Sequence, residues 1–189
     1  IAQKRWQKTA NWRQSTGMNT MLLKPHKHFD IIKSNTVQFY HKQTKNGNFV
    51  YYERPKAMKL SYLQSQNISE EDILYHFLYI TEFLWIKMDA RPLGQVCSVL
   101  DMKGISLSDF TGPVMATVRK VSDITKEHYP ERSYQIFIIN APWSFTAIWK
   151  IIKKFMDPNT VAKTHVIGDN ISKILKALNQ YIAIEDIPS

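Results

Sequence analysis

A chain of 189 residues with 44% hydrophobic and 12% aromatic side chains can close one ordinary globular core, which excludes a disordered or repeat-built protein. Its one cysteine, Cys97, excludes internal disulfides and four-cysteine zinc sites and points to a reducing, cytoplasmic setting. The net charge of +9 is lopsided: residues 1–60 hold 12 Lys/Arg against 2 Asp/Glu, so the basic end draws a phospholipid surface or nucleic acid, or is simply a solvated face.

No apolar run approaches the roughly 20 residues that span a bilayer, and the residues before Trp6 lack a signal peptide's apolar segment. The chain reads as soluble and, opening on Ile1 rather than methionine, as a fragment. Residues 2–14 read as a short helix with Trp6 and Trp12 packed inward and Gly17 ending it. Val37–His41 and Phe49–Glu53 are β-prone runs flanking Lys45-Asn46-Gly47-Asn48, and Asn-Gly supplies the positive φ angles of a hairpin turn. Ser69-Glu70-Glu71-Asp72 carries a capping hydroxyl and acids that favour a helix start. Ile73, Phe77, Ile80 and Leu84 then repeat at helical spacing, which predicts a core-facing helix over 69–88.

After a break at Pro92–Gly94, Gln95–Asp101 is a strand candidate, followed by a helix from about Ser108 to Glu127. Tyr134–Asn140 is a further strand whose consecutive Ile136, Phe137, Ile138 and Ile139 suit burial on both faces in a parallel sheet. Ser144–Met156 reads as a helix stopped by Asp157-Pro158, Lys163–Ile167 as a strand and Ile171–Tyr181 as a last helix. Alternation of this kind argues for an α/β fold with right-handed crossovers.

Catalytic chemistry finds no footing. There is no GxSxG elbow, glycine-rich dinucleotide loop or Walker sequence, so no catalytic residue and no cofactor is expected. His26-Lys27-His28 has no third ligand at a diagnostic spacing, and no metal site is expected. Basic residues alternate with Trp6, Trp12, Phe39 and Tyr40 near the amino end, but their amphipathic spacing favours core packing over nucleic acid. In Ser144–Met156 the residues Phe145, Ile148, Trp149, Ile151, Ile152, Phe155 and Met156 cover about half the wheel, with Lys150, Lys153 and Lys154 opposite. That pattern suits a membrane interface or an ordinary core helix with a solvated lysine face.

Four linked segments then carry a resemblance: Asp101-Met-Lys-Gly-Ile-Ser106, Tyr129-Pro-Glu-Arg132, Ile138-Ile-Asn-Ala-Pro142 and Asp157-Pro-Asn-Thr-Val-Ala-Lys163. In order and spacing they resemble the CRAL-TRIO lipid-binding domain, nearest its phosphatidylinositol/phosphatidylcholine transfer branch, the Sec-fourteen-like proteins. The likeness runs from Trp12-Arg13 onward and includes Phe39-Tyr40-His41-Lys42 and Val50-Tyr51. It implies an α/β fold in which a mixed sheet floors a hydrophobic pocket, covered by helices that include an amphipathic gate helix, Ser144–Met156. Residues 1–20 would be the end of an N-terminal helical region that is mostly missing, and residues 21–189 the lipid-binding domain without its closing strand. Lys87–Gly94 is shorter than the family pattern.

The resemblance further implies function and residues. Glu131, Thr160 and Lys163 match the phosphatidylinositol headgroup site, an acid for inositol hydroxyls with a hydroxyl and an ammonium for phosphate. Tyr40, Tyr51, Ser98 and Thr125 match the phosphatidylcholine site, where aromatic faces suit a quaternary ammonium. Val96 departs from the family serine, so phosphatidylcholine is the less secure ligand. The gate would be formed by Phe145, Ile148, Trp149, Ile152, Phe155 and Met156. The expected activity is non-enzymatic: exchange of phosphatidylinositol, and phosphatidylcholine, between membranes, or presentation to a lipid kinase. The alternatives are a regulatory lipid-sensing module of a larger protein, or a carrier of a sterol, a tocopherol-like molecule or squalene. Expected partners are the phospholipid and, transiently, an anionic membrane surface of Golgi or endosome, without nucleic acid, for a cytoplasmic monomer. Two acyl chains expose about thirty methylenes at roughly 0.8 kcal/mol each, so a closed apolar chamber offsets a penalty above about 20 kcal/mol.

Overall fold

The side-chain pattern of β4 (Ser133–Ile139) shows how the molecule is divided. Phe137 and Ile139 pack on one face, against a C-terminal helix, while Ile136 and Ile138 point to the other face, where a cavity lies. The computed structural model describes residues 2–110 and 112–188. Among them β1 (Gln38–Gln43), β2 (Phe49–Glu53), β3 (Val96–Asp101), β4 and β5 (Thr164–Val166) form one sheet in that order. β1 and β2 pair antiparallel across the Asn46-Gly47 turn, with Gly47 at φ 75°, and the other pairs are parallel.

Each parallel pair needs a crossover, and the helices supply it. α3 (Leu60–Ser65) and α4 (Glu70–Phe83) link β2 to β3, α5 (Gly112–His128) links β3 to β4, and α6 (Phe145–Ile152) with α7 (Pro158–Ala162) links β4 to β5. They lie with α2 (Phe29–Ser34) over one face of the sheet. α8 (Ile171–Leu178) closes the other, burying Ile174 and Leu178 against Val50, Cys97, Val99 and Phe137. Each such side chain contributes about 1.5–3 kcal/mol, so this is the filled core. Cys97 belongs to it, and burial pushes its thiol up to about 12.

The starts and stops have local causes. Ser69 Oγ accepts from Asp72 N at 3.1 Å while an Asp72 carboxylate oxygen accepts from Ser69 N at 2.9 Å, a reciprocal cap that fixes the start of α4. A short 3-10 turn, Leu107–Asp109, is capped by Ser106 in the same way, so α5 begins at Gly112 rather than near Ser108. α6 ends at Ile152 rather than Met156, because Lys154 N and Phe155 N turn back onto the carbonyls of Ile151 and Ile152 and Pro158 holds Asp157 extended. α1 (Ala2–Ser15) forms as expected, but Trp6 does not pack inward: it is 69% exposed. Of the two tryptophans only Trp12 packs inward, stacked on His128 with ring centroids 4.0 Å apart.

Candidate ligand-binding cavity

Between the sheet and its covering helices lies a cavity of about 1040 Å³, at the upper end of the roughly 300–1,000 Å³ typical of ligand pockets. Its floor is the alternate face of the strands: Gln38 and Tyr40 from β1, Tyr51 and Glu53 from β2, Ser98 and Leu100 from β3, with Ile136 and Ile138 from β4. One wall is α4 and the residue that follows it, where Ile73, Phe77, Ile80 and then Leu84 face the void. Helical periodicity read this segment as core-facing: Leu84 is buried and Phe77 and Ile73 pack against buried clusters, while all four also border the cavity, because an apolar stripe reports oily surroundings whether or not they are filled.

All three residues assigned to the phosphatidylinositol headgroup border the cavity at one edge. Asp157 caps α7 by accepting from Asn159 N at 2.8 Å, and that short helix presents Thr160 and then Lys163. Lys163 Nζ stands 3.5 Å from Glu131 Oε2 and donates to the Ser133 carbonyl at 3.3 Å. Glu131 sits at φ 59°, a left-handed backbone for which a carboxylate residue is uncommon, and its carboxyl is largely exposed. A cation beside an acid at an open edge can take a phosphate and a hydroxyl together.

The four residues assigned to phosphatidylcholine also border the cavity, three of them on its floor. The Tyr40 and Tyr51 rings lie 5.3 Å apart at 51°, Ser98 is the register neighbour of Tyr51, and Thr125 faces them from α5 with its hydroxyl donating to the Val121 carbonyl at 2.8 Å. Val96 borders the same space without a polar atom to offer. Sequence reasoning missed Gln38 and Glu53, although the period of two that groups Tyr40 with Tyr51 places both on that face. Tyr51 Oη donates to Glu53 Oε2 at 2.9 Å and lies 3.1 Å from Gln38 Oε1. Burial raises the Glu53 carboxyl pKa, partly offset by the Tyr51 hydrogen bond, and burial followed by the Glu53 charge raises both tyrosines.

The gate residues divide. Phe145, Trp149, Ile152 and Met156 border the cavity. Ile148 instead packs with Met102, Ile138 and Ala141, and Phe155 lies under the Arg119 guanidinium, 5.0 Å from its ring centroid. Ile151 departs from its assigned apolar face and points outward, 49% exposed, among the exposed Lys150, Lys153 and Lys154.

His76 on α4, 1% exposed, borders the cavity with Nδ1 3.1 Å from His26 Nε2. Burial, followed by the charges of His26 and Lys33, holds its imidazole down to about 4 from an ordinary 6.5. The unfolded chain therefore takes up a proton that the folded chain resists, and stability is lost as pH falls from about 6.5 towards 4. His76→Phe is expected to flatten the fall in unfolding free energy over that window, by on the order of 3 kcal/mol, in denaturant titrations from pH 7 to pH 4. Parallel profiles for the two proteins would contradict the buried neutral imidazole.

With this geometry in view, comparison with known proteins decides the family. The family model described as the CRAL/TRIO domain matches residues 33–189. This chain belongs to the CRAL/TRIO domain family. A SEC14 cytosolic factor of Yarrowia lipolytica is 32% identical over 94% of this chain and 37% of its own length, and one of Candida glabrata is 30% identical over 100% and 64%. The phosphatidylinositol/phosphatidylcholine transfer protein SFH4 of Arabidopsis thaliana is 29% identical over 92% of this chain and 30% of its own. The chain thus spans between about a third and two thirds of the length of these curated relatives. A crystal structure of Sfh5 shares the fold, with a TM-score of 0.73 at 21% identity over 92% of this chain and 62% of its own.

The motifs of this CRAL/TRIO domain are the joints of the cavity. Asp101 ends β3 by accepting from Arg54 Nε and Asn140 Nδ2, each at 2.7 Å, which ties β2, β3 and β4 together at one end of the floor. Tyr129 donates to Glu82 Oε1 at 2.6 Å, and Glu82, 2% exposed, also takes both guanidinium arms of Arg13 at 3.0 and 2.7 Å. Among the described residues no helix is long and apolar enough to cross a membrane.

Proposed function

We propose that this chain is the lipid-binding part of a non-enzymatic carrier that takes up phosphatidylinositol, and secondarily phosphatidylcholine, and moves it between membranes or presents it to a lipid kinase. One observation carries the reading: a large cavity lined mostly by apolar and aromatic side chains is bordered by Glu131, Thr160 and Lys163 at an edge where a headgroup can sit. The Arabidopsis relative is named as a transfer protein for these two lipids, which supports the choice of ligand. Exposed Trp143, at 91%, and outward Ile151 flank Lys150, Lys153 and Lys154 around α6. Aromatic and aliphatic groups between lysines suit docking on an anionic bilayer, as a cytoplasmic monomer visiting Golgi or endosomal membranes requires. Residues 1–20 fit the end of a preceding helical region.

Lys163→Ala is expected to lower phosphatidylinositol transfer between vesicles roughly tenfold, since the phosphate at this edge loses a charge-assisted partner. Circular dichroism should be unchanged, and unchanged transfer would remove the headgroup assignment. A second reading, a lipid-sensing module within a longer protein, is favoured by the small share of the Yarrowia and Arabidopsis relatives that the chain spans.

A further inference from the structure

Helix α4 does not stop cleanly at Phe83. It continues into a wider π turn, Leu84–Met88, closed by Asp89 N donating to the Leu84 carbonyl at 2.7 Å. Such turns are rare and shift the angular position of the side chains that follow, which is why they recur at functional sites. Here Leu84 and Trp85, neighbours in sequence, both border the cavity. The Trp85 indole is held in place: the Arg132 guanidinium lies over its ring, 4.3 Å from the centroid, and Arg132 itself donates to the Gly94 carbonyl at 2.8 Å. Yet Trp85 Nε1 is buried and meets no hydrogen-bond acceptor among the described residues. An indole nitrogen can only donate, and leaving it buried and unpaired is costly, so a braced and unsatisfied N–H calls for an acceptor that arrives from outside the chain.

The location says which acceptor. Arg132 follows Glu131 and precedes Ser133, whose carbonyl holds Lys163 Nζ, so Trp85 is clamped by the segment that carries Glu131 and touches Lys163. The Arg132 carbonyl accepts from Val96 N at 2.9 Å, and the Val96 side chain adds no polar group of its own to this part of the cavity. On the reading that the cavity holds a lipid, we propose that Trp85 Nε1 donates a hydrogen bond to an oxygen at the polar end of that lipid, a phosphate oxygen or a glycerol ester carbonyl. Trp85 is then a ligand-binding residue of this chain, set by the π turn and braced by Arg132.

The test follows the indole signals of the ¹⁵N-labelled chain, five in number, with Trp85→Phe identifying the one that belongs to Trp85. The chain is incubated with phosphatidylcholine vesicles containing phosphatidylinositol and re-isolated, and its lipid content is measured by phosphorus analysis. The expected result is a downfield shift and slower solvent exchange of the Trp85 indole proton on loading, with Trp85→Phe holding these lipids roughly three- to tenfold more weakly. Dialkyl ether analogues, which lack ester carbonyls, separate the two acceptors: a weakening that persists assigns a phosphate oxygen, and one that disappears assigns the carbonyl. A chain shown to carry lipid whose Trp85 signal stays put, with Trp85→Phe binding as tightly as the unaltered chain, overturns the proposal and leaves the carrier reading standing. A chain that takes up no lipid from any vesicle overturns the carrier reading and this proposal with it.

Discussion

Replacing Ile136 and Val118 together with tryptophan is expected to abolish lipid uptake while leaving the protein folded. Both residues border the cavity, one from the sheet floor and one from α5, so two indoles would occupy the space that acyl chains need. Bound lipid per chain, measured by phosphorus analysis after incubation with phosphatidylinositol vesicles, should fall at least tenfold. The melting temperature separates a cavity from a packed core. In a filled interior two such enlargements would overpack the site and cost about 1–3 kcal/mol each, whereas here they cover apolar wall and should leave stability unchanged or raised. A large drop in melting temperature would mean that the space between β4 and α5 is already filled.

The second large effect concerns Arg13. Its two guanidinium arms and the Tyr129 hydroxyl converge on Glu82, which joins α1, α4 and the end of α5 at one buried carboxylate. Arg13→Ala leaves that carboxylate with Tyr129 alone, and stranding a buried charge costs about 3–5 kcal/mol. For a chain of this size the melting temperature should fall by on the order of 10 °C. The double variant Arg13→Met with Glu82→Leu removes the charge as well as its partner, and most of the loss should be regained. Equal melting temperatures for Arg13→Ala and the unaltered chain would show that α1, which precedes the region matched by the family model, contributes little to the fold.

The strands were legible because alternation survives in short segments: Tyr51 and Ser98 face one side while Val50 and Cys97 face the other, and β2, β3 and β4 fell within a residue of their expected bounds. The capped start of α4 was legible for the same local reason. α2 and α3 were not, since each is six residues long with no side-chain cap, too short to carry a full amphipathic period and held in place by tertiary packing. Trp6 was misplaced because large aromatic residues are usually buried, yet α1 rests on the body through Trp12 and Arg13.

The candidate site divides similarly. Glu131, Thr160 and Lys163 lie within the segments that carry the family resemblance, and it was that resemblance that singled them out; all three border the cavity. Glu53 escaped notice because a lone acid in an aromatic strand looks solvated until the strand is seen to floor a cavity. The Arg13–Glu82 pair spans 69 residues, and no local pattern announces such a contact. Trp85 depends on a π turn, which leaves no mark in hydrophobic periodicity.

Native mass spectrometry of the chain, re-isolated after incubation with vesicles of phosphatidylcholine and phosphatidylinositol, tests most directly whether the space above the sheet is a lipid chamber. One phospholipid bound per chain, and none in the Ile136→Trp, Val118→Trp variant, is the expected result. A bare chain, or equal lipid on both proteins, would contradict it.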